Sequence, residues 1–150
     1  MHIRYNIMAS PHLSFYYALK DPSTVINKLS FGTDVIQTAN GNIYADEELK
    51  IKIGSFAFNI TVFGGNTDIE DNIYQGTGVN VFFLPEGTIS HCINIQFIKD
   101  ENDNIIVPPN IVNVYQILSG SGDFLNQKGV FVQQTNPINQ FRKMMLYFDN

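Results

Sequence analysis

The feature that most constrains this chain is an alternation of side chains with period two that runs through nearly all of it. In SFAFNITVF (55–63), Phe56, Phe58, Ile60 and Val62 fall on one face and Ala57, Asn59, Thr61 and Phe63 on the other, as a half-buried β-strand requires. The same pattern recurs in VNVFFL (79–84), TISHCINIQFI (88–98), IVNVYQIL (111–118), GVFVQQT (129–135) and FRKMMLYF (141–148). Strong chain-reversing clusters separate these runs: Gly64-Gly65-Asn66, Pro85-Glu86-Gly87, Asp100 to Asn104, Ser119 to Gly122 and Asn136-Pro137. Turn residues of these types favour tight reversals.

Weaker strands at 3–8, 12–19 and 49–53 bring the expected total to eight or nine, the spacing of an antiparallel sandwich or closed barrel. No long helix is expected. The best helical candidate is a short turn over Pro22 to Lys28, capped by Asp21 or Ser23. With no repeat or linker, residues 1–150 read as a single β-barrel or sandwich domain.

Charge and cysteine usage remove several function classes. Apolar residues make up 44% of the chain and charged ones 15%, a balance suited to a packed core. The net charge of −5 and the lack of any basic run argue against nucleic acid or an anionic membrane as partner. Cys92 is the only cysteine, which rules out an intrachain disulfide. Neither a signal-peptide-like run nor a membrane-span-length stretch occurs, so an intracellular, soluble protein is expected. His2, His12 and His91 lack ligand-like spacing, so no metal site is expected. The adjacent acids Asp46-Glu47-Glu48 and Glu70-Asp71 lie in loop-like surroundings and read as solvated surface.

The segment ILSGSGDFLNQKGVF (117–131) raises a structural question of its own. If 111–118 and 129–135 are antiparallel neighbours, Gly120, Gly122 and Gly129 supply backbone angles that a side chain would penalise. Phe124 then plugs one end of the structure from inside the loop. The longer run YQILSGSGDFLNQKGVFVQQ resembles the corner shared by allene oxide cyclases and dirigent proteins: an apolar strand, Gly-Gly-x-Gly-x-Phe, a short spacer, Gly and a strand. QQTNPINQFRKMMLYFDN is similar to the cyclase ending, and GTISHCINIQF, KIKIGSFAFNITVF and LSFGTDVIQ echo further strands of that family.

The resemblance spans residues 28 to 149. It implies an eight-stranded antiparallel, calycin-like barrel with an apolar lumen, a homo-oligomeric state, commonly a trimer, and no cofactor. The catalytic set of the cyclases does not carry across. Pro11 aligns with their proline, but His2 and Arg4 stand where glutamate and asparagine are needed, Thr33 replaces an asparagine, and Ile60 lies near a cysteine position. The aspartates and arginine of dirigent proteins have no secure counterparts in Asp34, Asp123 or Arg142.

A site in such a barrel belongs in the lumen, where a few polar groups on an apolar lining orient a ligand. On 88–98 one face carries Ile89, His91, Ile93, Ile95 and Phe97, the other Ser90, Cys92, Asn94, Gln96 and Ile98. The second face is favoured as lumenal, giving Cys92, Asn94, Gln96 and Tyr115 as ligand-binding residues. Two functions follow: a barrel that binds a small apolar ligand and steers a cofactor-independent cyclisation or isomerisation, or a non-catalytic oligomeric building block. The unmatched catalytic set favours binding or structure over catalysis.

Overall fold

The computed structural model describes residues 10–64, 73–99, 101–102, 105–108 and 112–149. The expected strand at 3–8, with His2 and Arg4, and the acids Glu70-Asp71 lie outside these residues. The strands are β1 (Leu13–Ala18), β2 (Val25–Phe31), β3 (Asp34–Tyr44), β4 (Lys52–Phe63), β5 (Ile73–Leu84), β6 (Gly87–Lys99), β7 (Ile105–Ile106), β8 (Val112–Gly120), β9 (Gly129–Thr135) and β10 (Phe141–Phe148). They pair antiparallel in the order β1-β10-β9-β8-β6-β5-β4-β3, and β1 meets β3 at Tyr16 and Tyr44 to close an eight-stranded barrel. β2 adds to β3 outside the ring, and the short β7 pairs with β6. Closure pairs the strand edges that would otherwise template aggregation.

The hairpin β2–β3 departs from the sequence expectation. Residues 25–31 form a strand, not a helical turn, and it reverses through Gly32-Thr33 with Gly32 at a φ of 58°. Asp21 and Ser23 act on the preceding turn instead of capping a helix. The Asp21 carboxylate accepts from the Ser23 hydroxyl and, at 2.8 Å, from Tyr44 Oη, while Thr24 Oγ1 donates to the Ala18 carbonyl at 3.0 Å. Residues 49–51 are loop, and β4 starts at Lys52. That loop is tied by Asp46, whose carboxylate accepts from the backbone N–H groups of Ile51 and Lys50. The Ile51 bond is the main cause holding the Asp46 carboxyl below its ordinary range.

The corner behaves as a plug. After β8, a 3-10 turn at Gly122–Phe124 sends the Phe124 ring into the main core, 6.2 Å from Phe148. Asp123 N–H donates to the Glu86 carbonyl at 2.9 Å and Ser121 N–H to the Thr88 carbonyl at 2.9 Å, so the loop is fastened to the β5–β6 hairpin. Gly122 has a φ of 60°, and a Cβ there would lie 2.4 Å from the Glu86 carbonyl oxygen, so both angle and space exclude a side chain. Gly120 is needed for space alone, since its backbone angle is ordinary and a Cβ would sit 2.3 Å from the Phe124 carbonyl oxygen.

Phe15, Phe56, Phe82, Ile89, Phe131, Met144 and Leu146 fill the lumen behind this plug. Toward the opposite end, Ile60, Val62 and Ile93 form a looser cluster with Phe58, Ile95 and Phe97. One end of the barrel is therefore solid and the other leaves room. Phe124→Ala should lower unfolding free energy by about 3–4 kcal/mol. Urea denaturation checks this, and a loss below ~1 kcal/mol would show that Phe124 is not part of the core.

Candidate functional site

Above the aromatic plug, seven strands each turn one polar or amphipathic side chain inward. Tyr17 (β1), Gln37 (β3), Asn80 (β5), His91 (β6), Tyr115 (β8), Gln133 (β9) and Arg142 (β10) all line the same lumenal cavity. Register places them: Tyr17 is directly opposite Arg142, and Asn80 directly opposite His91. The walls above this polar floor are Phe58, Ile60, Val62, Ile93, Ile95 and Phe97. Measured as space open to the centre of a water molecule, the cavity holds about 60 Å³. One water needs ~10–15 Å³ on that measure, so there is room for roughly four to six waters or one small ring.

The polar floor is incompletely paired. His91 is 1% exposed, stacks on Tyr115 with ring centroids 4.3 Å apart, and turns Nδ1 to the Cys92 carbonyl oxygen at 3.0 Å. A carbonyl can only accept, so Nδ1 carries the hydrogen and Nε2 of the neutral ring is an acceptor. That Nε2 is buried with no partner. Asn80, 2% exposed, donates through Nδ2 to Tyr17 Oη at 3.3 Å, and its Oδ1 is likewise unpartnered. Arg142, 7% exposed, donates from Nη1 to the Gln140 carbonyl at 3.2 Å and lies 5.6 Å from the Tyr17 ring centroid. Among the described residues, no carboxylate pairs with it.

Burial sets the protonation states. Desolvation raises Tyr17 above its ordinary value, against the opposing Arg142 charge and the Asn80 hydrogen bond. Desolvation, with the neighbouring Tyr17, also raises Tyr115, again against Arg142. Both remain phenols able to donate. His91 is pushed down to about 4, chiefly by desolvation, with the Cys92 carbonyl acting in the other direction. The floor thus presents one cation, two phenols and two unpaired acceptors.

The sequence expectation chose the wrong face of β6. Cys92, Asn94 and Gln96 are exposed on the outside of the barrel, and the lumen receives His91, Ile93, Ile95 and Phe97. The physical reason is desolvation: polar side chains cost nothing in water, whereas a narrow lumen rewards the more apolar stripe. Of the four expected ligand-binding residues only Tyr115 lines the cavity. Tyr17, Asn80, His91, Gln133 and Arg142 were not singled out as site residues. The signal that finds His91 was present, since it lies on the stripe richer in isoleucine. Among the described residues, no group of three or more His, Cys, Asp or Glu side chains is arranged to hold a metal ion. Nor is any helix among them long and apolar enough to cross a membrane.

No family model and no curated protein matches the chain. A solved structure does. The barrel is similar to a pyocyanin demethylase, with a TM-score of 0.54 and 13% identity over 89% of this chain and 98% of that one. At that identity the likeness is one of fold.

The buried neutral imidazole makes stability depend on pH. Unfolded His91 titrates near 6.5 and folded His91 near 4, so between these values the unfolded chain binds more protons. Stability contributed by the neutral ring is complete above pH 6.5 and is lost as pH falls toward 4. At ~1.4 kcal/mol per pH unit this amounts to about 3 kcal/mol. Denaturation at pH 7.5 and 4.5 should show wild type losing about 2–3 kcal/mol more than His91→Leu. Equal losses would mean that the ring is not held neutral.

Proposed function

We propose that this protein binds a small, largely apolar molecule in its lumen, as a divergent barrel of the allene oxide cyclase and dirigent kind. The observation that carries this reading is the polar floor with unpaired buried atoms beneath apolar walls. Buried polar groups are normally satisfied, and unsatisfied ones facing a cavity are what a ligand completes. The corner built around Gly120, Gly122, Phe124 and Gly129 supports the family reading, because it closes one end and leaves the other for binding. The likeness to a protein named for demethylating pyocyanin adds that a barrel of this shape can serve a small-molecule enzyme.

Among the described residues, no cysteine and no carboxylate lines the floor, so thiolate and carboxylate chemistry have no provider among them. What the floor offers is orientation, donation from Tyr17 and Tyr115, and proton acceptance at His91 Nε2. A cyclisation or isomerisation steered by shape and without a cofactor is within that repertoire. Ile93→Phe should fill the cavity while keeping the fold, at a cost of about 1–3 kcal/mol. Calorimetric titration with toluene should then show at least a tenfold loss of affinity, by order of magnitude. Unchanged affinity in a folded variant would place binding outside the lumen.

A second reading, the barrel as a homo-oligomeric building block, is favoured by β2. Val25, Leu29 and Phe31 are 53%, 58% and 56% exposed on one face of that strand, and Ile36, opposite Leu29 on β3, is 39% exposed. Together they form an apolar strip that continues the outer wall of the barrel. Exposed strips of this kind mark association surfaces. If it is one, Leu29→Glu should shift the mass measured by light scattering from oligomer to monomer. A wild-type monomer at tens of micromolar would end this reading.

A further inference from the structure

Resting on the lumenal reading, we infer that the ligand is a small aromatic acid bearing a hydroxyl or N–H donor. Arg142 holds its carboxylate, and Asn80 Oδ1 and His91 Nε2 take its donor. Three independent features of the cavity specify the three parts of such a molecule.

The first is a buried cation without an anion among the described residues. Arg142 uses one of its N–H groups on the Gln140 carbonyl and rests against the Tyr17 ring. A guanidinium has five donors in a planar fork, so among the described residues most of its hydrogen-bonding capacity is left for whatever fills the cavity. A buried charge is normally paired, and two coplanar carboxylate oxygens are the group that matches the fork. Tyr17 reinforces the preference. Its oxygen already accepts from Asn80 Nδ2, which leaves its own hydrogen to donate to the same anion.

The second is a pair of acceptors. Asn80 and His91 are directly opposite on β5 and β6, and each keeps a buried acceptor atom unpartnered. Neither atom can be satisfied by a carboxylate, which has nothing to donate. The ligand must therefore carry an O–H or N–H at a point distinct from its acid group. The third is the wall. Phe58, Ile60, Ile93, Ile95 and Phe97 present apolar surface between floor and mouth, interrupted by the amide of Gln37 opposite Ile60. A rigid ring fits that lining with little loss of conformational freedom on binding.

The test is a series of four probes titrated calorimetrically against the wild-type chain at pH 7.5: 4-hydroxybenzoate, benzoate, phenol and toluene. 4-Hydroxybenzoate should bind tightest, with removal of either the carboxylate or the hydroxyl weakening binding about tenfold or more, as expected for buried hydrogen bonds to charged and neutral partners. Arg142→Met should abolish the advantage of the carboxylate and leave phenol unaffected. His91→Leu should abolish the advantage of the hydroxyl. The wild-type series needs no variant, so a misfolded Arg142→Met leaves the question decidable. Benzoate binding no tighter than toluene would overturn the acid assignment. The lumenal reading would survive that result if toluene and phenol bind and Ile93→Phe excludes them. Failure of all four probes to bind would overturn both.

Discussion

Closing eight strands into a ring fixes the distance across it before any side chain is chosen, because strand number, tilt and stagger together set the diameter. Here the ring closes where β1 lies along β10 through six register pairs and touches β3 through Tyr16 and Tyr44. Every inward side chain then competes for one fixed cross-section. Where Phe56 reaches across, β3 has Gly41, at which a Cβ would lie 3.1 Å from the Phe56 ring and 2.5 Å from Thr24 Oγ1. Large rings on some strands thus dictate small residues on others, and the plug at the Phe124 end is the rung where this packing is complete.

The polar floor begins one rung further along, and it runs against the economy of the rest. Replacing Asn80, His91 and Arg142 with apolar residues of like volume would remove buried groups that each cost stability when unpaired. A fold that needed only to stand would have continued the pattern of Phe82, Ile89 and Met144 into this rung. Departures from a locally consistent pattern tend to concentrate at functional sites. This one involves residues from seven different strands that converge on one cavity, which a stray surface substitution cannot do.

Much of the barrel was legible because its strands announce themselves by period. The runs at 79–84, 88–98, 129–135 and 141–148 all lie within observed strands, and the glycine corner with its buried phenylalanine is where the spacing put it. β2 was not legible because a strand outside the ring is exposed along its whole length and has no core-facing stripe to alternate. β3 was hidden for the opposite reason. Its inward positions include the buried Ala39 and also Gly41, which the Phe56 ring keeps small, and small residues carry little hydrophobic signal. The site was not legible because a polar stripe on a strand looks the same in sequence whether it meets a ligand or water. Polarity on a strand face signals water unless something prevents water from reaching it.

Orientation of the floor also depends on one residue that lies outside the lumenal cavity. On β6 and β8 the register runs from Ser90 opposite Ser119 to His91 opposite Ile117, so Leu118 is an extra residue in a bulge. Side chains alternate along a strand, and an inserted residue reverses the sense of everything beyond it. Without the bulge His91 would face Leu118, and Gln116 would follow it into the lumen while Tyr115 turned outward. With it, Leu118 is 54% exposed and Tyr115 stacks on His91 at 4.3 Å. The stacked ring helps to fix the imidazole in the orientation that pairs Nδ1 with the Cys92 carbonyl and leaves Nε2 unpaired. An exposed leucine therefore sets the direction in which the buried histidine and its tyrosine neighbour act.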